Sequence, residues 1–286
     1  MKICFYTEGH IGDLLNPLPV IDVLIKKYPD NEYYFYNQGG QSTQLNHDLI
    51  TIVDNLIPSN TINGDINIPT WTCNSEYRQF NNPPNTFSDY LSFYKYFTVN
   101  ILKKHGFDIE VPDDCGINFN YKIPQGVKDS IEQFKISQSN NIILFNQLPR
   151  SGQTDSEFYG KYLVDISTKY PQYNFFYTNP ESIDCNNSNL YFTPNIFGNY
   201  PCDILYNAYL SYFCKFIISR LSGPAIFSCM HTQNVSDPSK VLITQIHNDV
   251  ELWYNKNIYR AENIRSISTQ NSFEILNKFL SSHLSS

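Results

Sequence analysis

The sequence contains no long hydrophobic run. No segment of the 286-residue chain approaches the roughly 18 to 20 consecutive apolar residues that a membrane-spanning helix requires. The N-terminus reads as a β-strand, and not as a charged region followed by a long apolar stretch. We therefore expect a soluble, cytoplasmic protein without a membrane span.

Positive charge is also scarce. The chain has 20 Lys and Arg against 27 Asp and Glu, a formal net charge of −7, and no segment rich in Lys or Arg. A protein that binds nucleic acid regardless of its sequence needs a basic stripe to displace counterions. We therefore expect no nucleic-acid partner.

Cysteine and histidine lack the spacings of structural sites. The seven cysteines include no C-x-x-C pair, and the six histidines include no H-x-x-x-H pair. Neither a disulfide framework nor a zinc site is indicated. We expect buried free thiols, no metal ion and no bound cofactor.

What the chain does contain is enough apolar and aromatic sequence for packed cores. Hydrophobic residues make up 41% and aromatic residues 15% of the chain, which is long enough for two units of roughly 130 to 150 residues. The change in composition near Pro124 places the boundary between residues 1–124 and residues 125–286. Both halves show the same series of a strand, a loop, a helix ending in Lys-Tyr-Pro and an aromatic strand.

The hydrophobic periodicity predicts alternating strands and helices. Predicted strands are residues 3–7, 32–36, 50–57, 71–77, 142–147, 174–178, 190–193, 216–219, 241–246 and 264–267. Predicted helices are residues 14–28, 86–105, 125–135, 155–170, 202–214, 224–231 and 272–284, with Gly106 as a C-terminal cap. This order is typical of an α/β protein with two Rossmann-like halves of parallel strands that face a cleft.

The segment from Gly9 to Asp13 is the first candidate for chemistry. Gly9, His10 and Gly12 lie in a turn between a strand and a helix, where the backbone can approach a ligand closely, and we expect this loop to contact an acceptor or substrate. Asp13 would repel the anions that a helix N-terminus otherwise attracts, so a base that deprotonates a hydroxyl fits better. The alternative is a carboxylate that only complements the helix dipole.

The second candidate follows the predicted strand at residues 216–219. Ser222, Gly223 and Pro224 form a strand-to-helix corner whose backbone N–H groups suit a diphosphate, although an ordinary N-capped helix start has the same pattern. Arg150 and Arg220 follow strands at the sheet edge where such proteins bind ligands, and a guanidinium is suited to phosphate.

Two acidic residues are weaker candidates. Asp203 and Glu157 each stand near a predicted helix start and would suit a ribose hydroxyl, but a solvated helix start explains both more simply.

These motifs resemble those of the ADP-heptose:lipopolysaccharide heptosyltransferase family. The Gly-Asp pair before a helix that begins near Pro17 and ends at Pro29 resembles the N-terminal signature of the family, and Ser222-Gly223-Pro224 resembles its Ser/Thr-Gly-Pro element. The resemblance implies a GT-B fold and an inverting, metal-independent transfer of a sugar from a nucleotide-diphosphate donor to a carbohydrate or glycoconjugate acceptor. It implies that Asp13 is the general base and that the Ser222 corner binds the donor phosphates.

The chain also departs from the family pattern. The family usually has an Asp before the Ser/Thr-Gly-Pro element and a His just after it, whereas Leu221 and Ala225 stand here. The identity of the donor therefore stays open. Two alternatives also stay open, a nucleotide-sugar epimerase of GT-B type and a non-catalytic GT-B module that binds a sugar nucleotide or a partner.

Overall fold

Ten β-strands form two all-parallel sheets in the described part of the chain. The computed structural model describes residues 1–9, 11–38, 48–70, 74, 90–112, 119–134, 140–145, 160–178, 186–198, 203–220, 223, 227–228, 234, 237–246, 264–268 and 272–284. The predicted α/β class with two parallel sheets is confirmed.

The first sheet has four strands in the order β3-β2-β1-β4. They are β1 (Lys2–Thr7), β2 (Glu32–Asn37), β3 (Leu56–Ser59) and β4 (Ile66–Pro69). The helices of this half are α1 (Ile11–Leu15), α2 (Leu18–Lys27) and α3 (Tyr90–Lys104). The inner strand β1 pairs with β2 on one side and β4 on the other, so the loop after β1 lies near the middle of the sheet edge.

The second sheet has six strands in the order β10-β9-β8-β5-β6-β7. They are β5 (Asn141–Phe145), β6 (Asn174–Tyr177), β7 (Leu190–Phe192), β8 (Phe216–Arg220), β9 (Val241–Ile246) and β10 (Ile264–Ser268). The helices are α4 (Gln125–Glu132), α5 (Gly160–Lys169), α6 (Thr193–Phe197), α7 (Ile204–Ser211) and α8 (Ser272–Leu284).

Alternate residues of the second sheet belong to two different cores, because successive side chains of a strand point to opposite faces. Ile142 and Leu144 of β5 pack with α5 and α8, whereas Ile143 packs with α4 and α7. Both faces are therefore covered by helices, which explains why these strands read as continuous apolar runs.

The prediction of one continuous helix over residues 14–28 is wrong, because the helical segment starts earlier and is divided in two. The structure has α1 and α2 in its place, with Pro17 between them at the N-cap of α2 and Pro19 in its first turn. Proline has no backbone N–H to donate within a helix and is tolerated only in the first turn. The chain therefore starts a new helix at this point.

The predicted strand over residues 50–57 is also mostly wrong. Residues 48–50 are helical and include the buried Ile50, residues 51–55 form a turn in which Val53 is buried, and the strand begins only at Leu56. Asn55 has a φ of 64°, a left-handed conformation that ends the turn and that Asn tolerates better than most residues. The residues that bracket Asn74 in the predicted strand 71–77 lie outside the described part of the chain.

Gly106 terminates α3 as predicted. It has a φ of 85°, its N–H donates to Lys103 O at 3.0 Å, and the N–H of Phe107 donates to Leu102 O at 2.9 Å. This pair of bonds is the Schellman arrangement, which needs a residue in the left-handed region and so favours glycine.

One of the two hydrophobic cores contains residues of both halves. It includes Phe5 of β1, Tyr121 and Val127 near the predicted boundary, and Ile217 of β8. The boundary at residues 124 and 125 stays a prediction, since the packing continues across it. In the described part of the chain, every helix is too short or too polar to cross a membrane.

Candidate functional site

The loop after β1 is fixed by a hydrogen bond to the last residue of the strand. The N–H of Gly9 donates to Thr7 Oγ1 at 3.0 Å, and both residues are buried. The turn carries the chain directly from the carboxyl end of β1 into α1. Ligands of open α/β sheets bind at this edge, so the predicted substrate loop begins where a ligand is expected.

Asp13 lies in α1 and is held by two other elements of the first half. Its backbone oxygen accepts a hydrogen bond from Thr70 Oγ1 at 3.0 Å, just after β4. Its Oδ1 accepts a hydrogen bond from the Tyr94 hydroxyl at 3.1 Å, on α3. Asp13 is 8% exposed, so its carboxyl group is largely withdrawn from water and has a fixed orientation.

The two predicted motifs meet at Gly12 and Gly223. A Cβ atom added at Gly12 would lie 3.4 Å from Gly223 Cα, and one added at Gly223 would lie 2.7 Å from both the Cα and the N of Gly12. The two backbones therefore touch with no side chain between them. The contact therefore joins the residue that precedes Asp13 to the chain that follows β8.

We expect Gly223→Ala to destabilise the protein by about 1–3 kcal/mol, the usual cost of overpacking. Real Cβ atoms essentially never come within 3.0 Å of another atom, and here the obstacle is backbone that cannot rotate away. Urea denaturation followed by circular dichroism measures the change. The matched control is Gly126→Ala on α4, where an added Cβ meets nothing within 4 Å and alanine is the better helix former. Equal stability of the two variants would contradict the contact.

The chain that follows Gly223 is anchored by an aromatic contact. The rings of Tyr121 and Phe227 stack with centroids 4.2 Å apart, and the Tyr121 hydroxyl donates to Phe227 O at 3.3 Å. Tyr121 precedes α4 at the predicted boundary between the halves. It therefore connects the boundary segment to the corner containing Gly223.

A buried polar network anchors the same chain from the other direction. Asn234 Nδ2 donates to Ser228 O at 2.9 Å and to Ser211 Oγ at 2.7 Å. Lys240 Nζ donates to Asn234 Oδ1 at 2.7 Å, to Tyr212 O at 2.7 Å and to Ser211 O at 3.0 Å. Lys240 is 5% exposed and lies at the C-terminal end of α7, where the helix dipole favours a cation.

Asn16 is a site residue that the sequence did not reveal. It is 3% exposed, and within the described part of the chain neither its Nδ2 nor its Oδ1 has a hydrogen-bond partner. Its Nδ2 lies 3.6 Å from the point where a Cβ of Gly12 would stand, so it flanks the contact with Gly223. In the sequence it is an asparagine between a leucine and a proline, which gives no sign of this position.

Several predicted site residues lie outside the described part of the chain. The backbone of Arg220 ends β8 and pairs with Gln245 of β9, but its side chain is not among the described parts. The others are His10, Arg150, Glu157, Ser222 and Pro224. Their predicted roles stay predictions, as do those of Asp13, Gly9, Gly12 and Gly223.

Asp203 is not the solvated helix start that the sequence favoured. It is fully buried at the N-cap of α7, and its Oδ2 accepts a hydrogen bond from Asn207 Nδ2 at 2.6 Å. Burial raises the pKa of Asp203 to about 7, against the opposing effect of the Asn207 amide. Within the described residues its Oδ1 has no hydrogen-bond partner, so the neutral carboxyl is the form that this position favours.

We expect the contribution of Asp203 to the stability of the protein to fall as the pH rises from about 4 to about 7. An unfolded aspartate has a pKa of about 3.9, so in this window the unfolded chain releases a proton that folded Asp203 retains. Below the window there is no penalty, and above it the penalty is constant, on the order of 4 kcal/mol. Asp203→Asn removes the titration and should gain stability over the parent at pH 7.5 but not at pH 4, as measured by urea denaturation.

The control for this experiment is Asp165→Asn, a change of the same kind at an exposed position on α5. It should leave the pH dependence of stability as it is in the parent. A parallel pH dependence in Asp203→Asn and in the parent would show that Asp203 is not the group responsible.

Cysteine thiols and possible metal ligands are the remaining groups that could take part in a site. Of the seven cysteines, Cys4 and Cys214 belong to the described residues, and both are buried free thiols. Burial raises the pKa of the Cys214 thiol to about 12, in spite of nearby Lys240. Across the described ranges there is no cluster of three or more His, Cys, Asp or Glu side chains that could hold a metal ion.

The structure is similar to solved structures of glycosyltransferases. It matches ADP-heptose lipopolysaccharide heptosyltransferase II of E. coli with a TM-score of 0.60 and 11% identity, covering 99% of each chain. It matches a family 9 glycosyl transferase of Veillonella parvula with a TM-score of 0.59 and 13% identity, covering 97% of this chain and 89% of the other. A third match is E. coli heptosyltransferase WaaC with ADP-2-deoxy-2-fluoro heptose, with a TM-score of 0.54, 9% identity and coverage of 99% and 100%.

The predicted resemblance to heptosyltransferases is thus confirmed for the fold. The two parallel sheets with their helices form the GT-B arrangement over nearly the whole chain. No protein-family model matches the sequence. A comparison with curated protein sequences found no match either.

Proposed function

We propose that the protein is a glycosyltransferase that moves a sugar from a nucleotide-diphosphate donor to a hydroxyl of a carbohydrate or glycoconjugate acceptor, with inversion and without a metal ion. The observation that carries the proposal is the contact of Gly12 with Gly223. In this contact Gly12, the residue before Asp13, touches Gly223 of the corner whose sequence resembles a diphosphate-binding element. The GT-B fold supports the proposal, and we take the protein to act in the cytoplasm.

Asp13 is the proposed general base. As the acceptor oxygen forms its bond to the anomeric carbon, its proton passes to the Asp13 carboxylate. The hydrogen bond from Tyr94 and the bond from Thr70 to the backbone of Asp13 hold the carboxylate in place. A base with a fixed orientation needs little reorganisation when the proton moves.

The corner at Gly223 is the proposed seat of the leaving group. When the bond between the anomeric carbon and the phosphate oxygen breaks, the electron pair and the negative charge go to the nucleoside diphosphate. The backbone N–H groups of Ser222 and Gly223, in the corner that ends at Pro224, and the guanidinium groups of Arg150 and Arg220 are the donors proposed to stabilise that charge. Because the base and the leaving-group seat belong to opposite halves, closing the halves assembles the site.

The experiment is a thermal-shift and turnover screen of the full chain. ADP-heptose, ADP-glucose, UDP-glucose and GDP-mannose are each compared with the matching nucleoside diphosphate. A ligand at one hundred times its dissociation constant stabilises the folded protein by about 2.7 kcal/mol, which raises the unfolding temperature measurably. We expect one nucleotide sugar to bind and, with acceptor carbohydrates present, to release its nucleoside diphosphate in buffer containing EDTA.

The outcomes of the screen separate the alternatives. Binding of a nucleotide sugar without any turnover would favour a non-catalytic module. Conversion of the donor into an epimeric sugar, read by NMR, would favour an epimerase. Failure of every nucleotide sugar to bind would overturn the proposed function.

A further inference from the structure

Asn16 presents a buried amide whose hydrogen-bonding groups are unused. The residue is 3% exposed, yet within the described part of the chain neither Nδ2 nor Oδ1 has a partner. Leaving a buried polar group unpaired is costly, and most such groups in proteins are paired. A ligand that forms hydrogen bonds with the Asn16 amide would remove this cost. An unpaired amide beside the contact between the two halves therefore indicates a ligand.

The position of the amide places such a ligand beside Gly12 and Gly223. A Cβ atom added at Gly12 would lie 3.4 Å from Gly223 Cα and 3.9 Å from Gly223 N. The same atom would lie 3.6 Å from Asn16 Nδ2. The amide of Asn16 therefore flanks the first residues of the proposed leaving-group seat. Asn16 also follows Asp13 by three residues, one turn further along the chain, and its N–H donates to Gly12 O at 2.9 Å.

The chemistry of the amide selects the kind of group that it holds. A carboxamide offers two N–H donors and one acceptor oxygen. A phosphate accepts hydrogen bonds and does not donate, so it would satisfy Nδ2 and leave Oδ1 unpaired. A sugar hydroxyl donates and accepts, so hydroxyl groups of a sugar satisfy both ends of the amide.

We propose that Asn16 binds hydroxyl groups of the sugar that is transferred, and so contributes to the choice of donor. The inference rests on the proposed function. With the diphosphate at Gly223 and the acceptor hydroxyl at Asp13, the transferred sugar lies between these two residues, and the Asn16 amide lies beside the contact of Gly12 with Gly223. Since the amide is buried and the backbones of Gly12 and Gly223 touch, the sugar enters when that contact widens, and the site closes around it.

The test compares Asn16→Leu with the parent protein in the full chain. The probe is whichever of ADP-heptose, ADP-glucose, UDP-glucose and GDP-mannose binds the parent most tightly, beside its nucleoside diphosphate, with dissociation constants from calorimetry. We expect Asn16→Leu to bind the nucleotide sugar roughly tenfold more weakly, as for one or two lost hydrogen bonds, and the nucleoside diphosphate as tightly as the parent. Asn100→Leu on α3, where the amide donates to Tyr96 O at 2.7 Å, is the control for binding.

A second measurement separates binding from folding. Replacing an unpaired buried amide by an apolar side chain of similar size is expected to leave stability unchanged or to raise it. Asn16→Ala, which needs no additional space, is measured beside Asn16→Leu and should show the same selective loss. If both Asn16→Leu and Asn16→Ala are folded, their affinities for the nucleotide sugar and the nucleoside diphosphate can be compared directly with those of the parent.

Three results would overturn the inference. Unchanged affinity of Asn16→Ala for the nucleotide sugar would remove Asn16 from the site. An equal loss of affinity for the nucleotide sugar and the nucleoside diphosphate would assign Asn16 to the phosphates or to the fold. No binding of any nucleotide sugar to the parent would overturn the proposed function together with this inference, and so is distinct from the first two results.

Discussion

Replacing Asp13 with asparagine is expected to lower the rate of nucleoside diphosphate release from the donor by about 10²- to 10⁴-fold. This is the range that a general base contributes, and it corresponds to about 3–5 kcal/mol of transition-state stabilisation. Asparagine has nearly the same shape, and its side-chain oxygen still accepts the hydrogen bond that Tyr94 donates to Asp13 Oδ1 at 3.1 Å. The fold and the affinity for the donor should therefore remain, and only turnover should be lost.

The control for Asp13→Asn is Asp22→Asn on α2. Asp22 forms an i,i+4 ion pair with Lys26 at 2.6 Å, and the Lys26 side chain is 73% exposed. Such pairs contribute little to stability, so this variant should turn over the donor like the parent. Full turnover by Asp13→Asn would show that Asp13 is not the base. Loss of donor binding and turnover together would instead assign Asp13 to binding the donor.

The architecture was largely predictable from the pattern of the sequence. Strands buried on both faces read as short apolar runs, as at residues 142–145 and 216–219, and the helix at residues 272–284 has the predicted bounds. The Lys-Tyr-Pro segments at the ends of α2 and α5 correctly indicated the same strand–helix–strand unit in each of the two sheets. Each segment ends a helix and precedes an inner strand of a parallel sheet, β2 in the first sheet and β6 in the second.

The errors of the sequence interpretation have local physical causes. A hydrophobic period continued through Pro17, but the missing N–H of that proline divided the helix. The apolar run from Ile50 to Ile57 has the composition of a strand, yet most of it packs inside a turn that Asn55 ends. Short apolar runs do not by themselves distinguish a strand from a buried turn.

The site was predictable only as two separate motifs. Each motif has local signals, namely a glycine turn before a carboxylate and a small-residue corner after a strand. Their contact joins Gly12 to Gly223, at distant positions in the chain, and no local pattern indicates it. Asn16, Asp203 and Lys240 were missed as buried groups for a related reason. Asn, Asp and Lys are exposed in most proteins, so their residue type alone predicts exposure. These three are buried because elements that are distant in the sequence pack over them.

Replacing Lys240 with methionine is expected to lower the free energy of unfolding by about 2–4 kcal/mol. Methionine fills similar space, but Ser211 O, Tyr212 O and Asn234 Oδ1 lose the donor that now lies 2.7 to 3.0 Å from each of them. A buried acceptor that loses its donor costs about 1–3 kcal/mol, partly offset because no ammonium has to be buried. Urea denaturation followed by circular dichroism gives the value.

Lys278→Met provides the matched control, because Lys278 is exposed on α8 and the same substitution there should change stability by no more than about 0.5 kcal/mol. Lys240 also orients Asn234, whose amide holds Ser228 O on the chain that follows Gly223. Lys240→Met should therefore weaken binding of the nucleoside diphosphate under conditions where the variant is still folded, whereas Lys278→Met should not. If Lys240→Met were as stable as Lys278→Met, the network would not support the fold. If it were unstable but bound the nucleoside diphosphate normally, the network would stabilise the second half without positioning the corner.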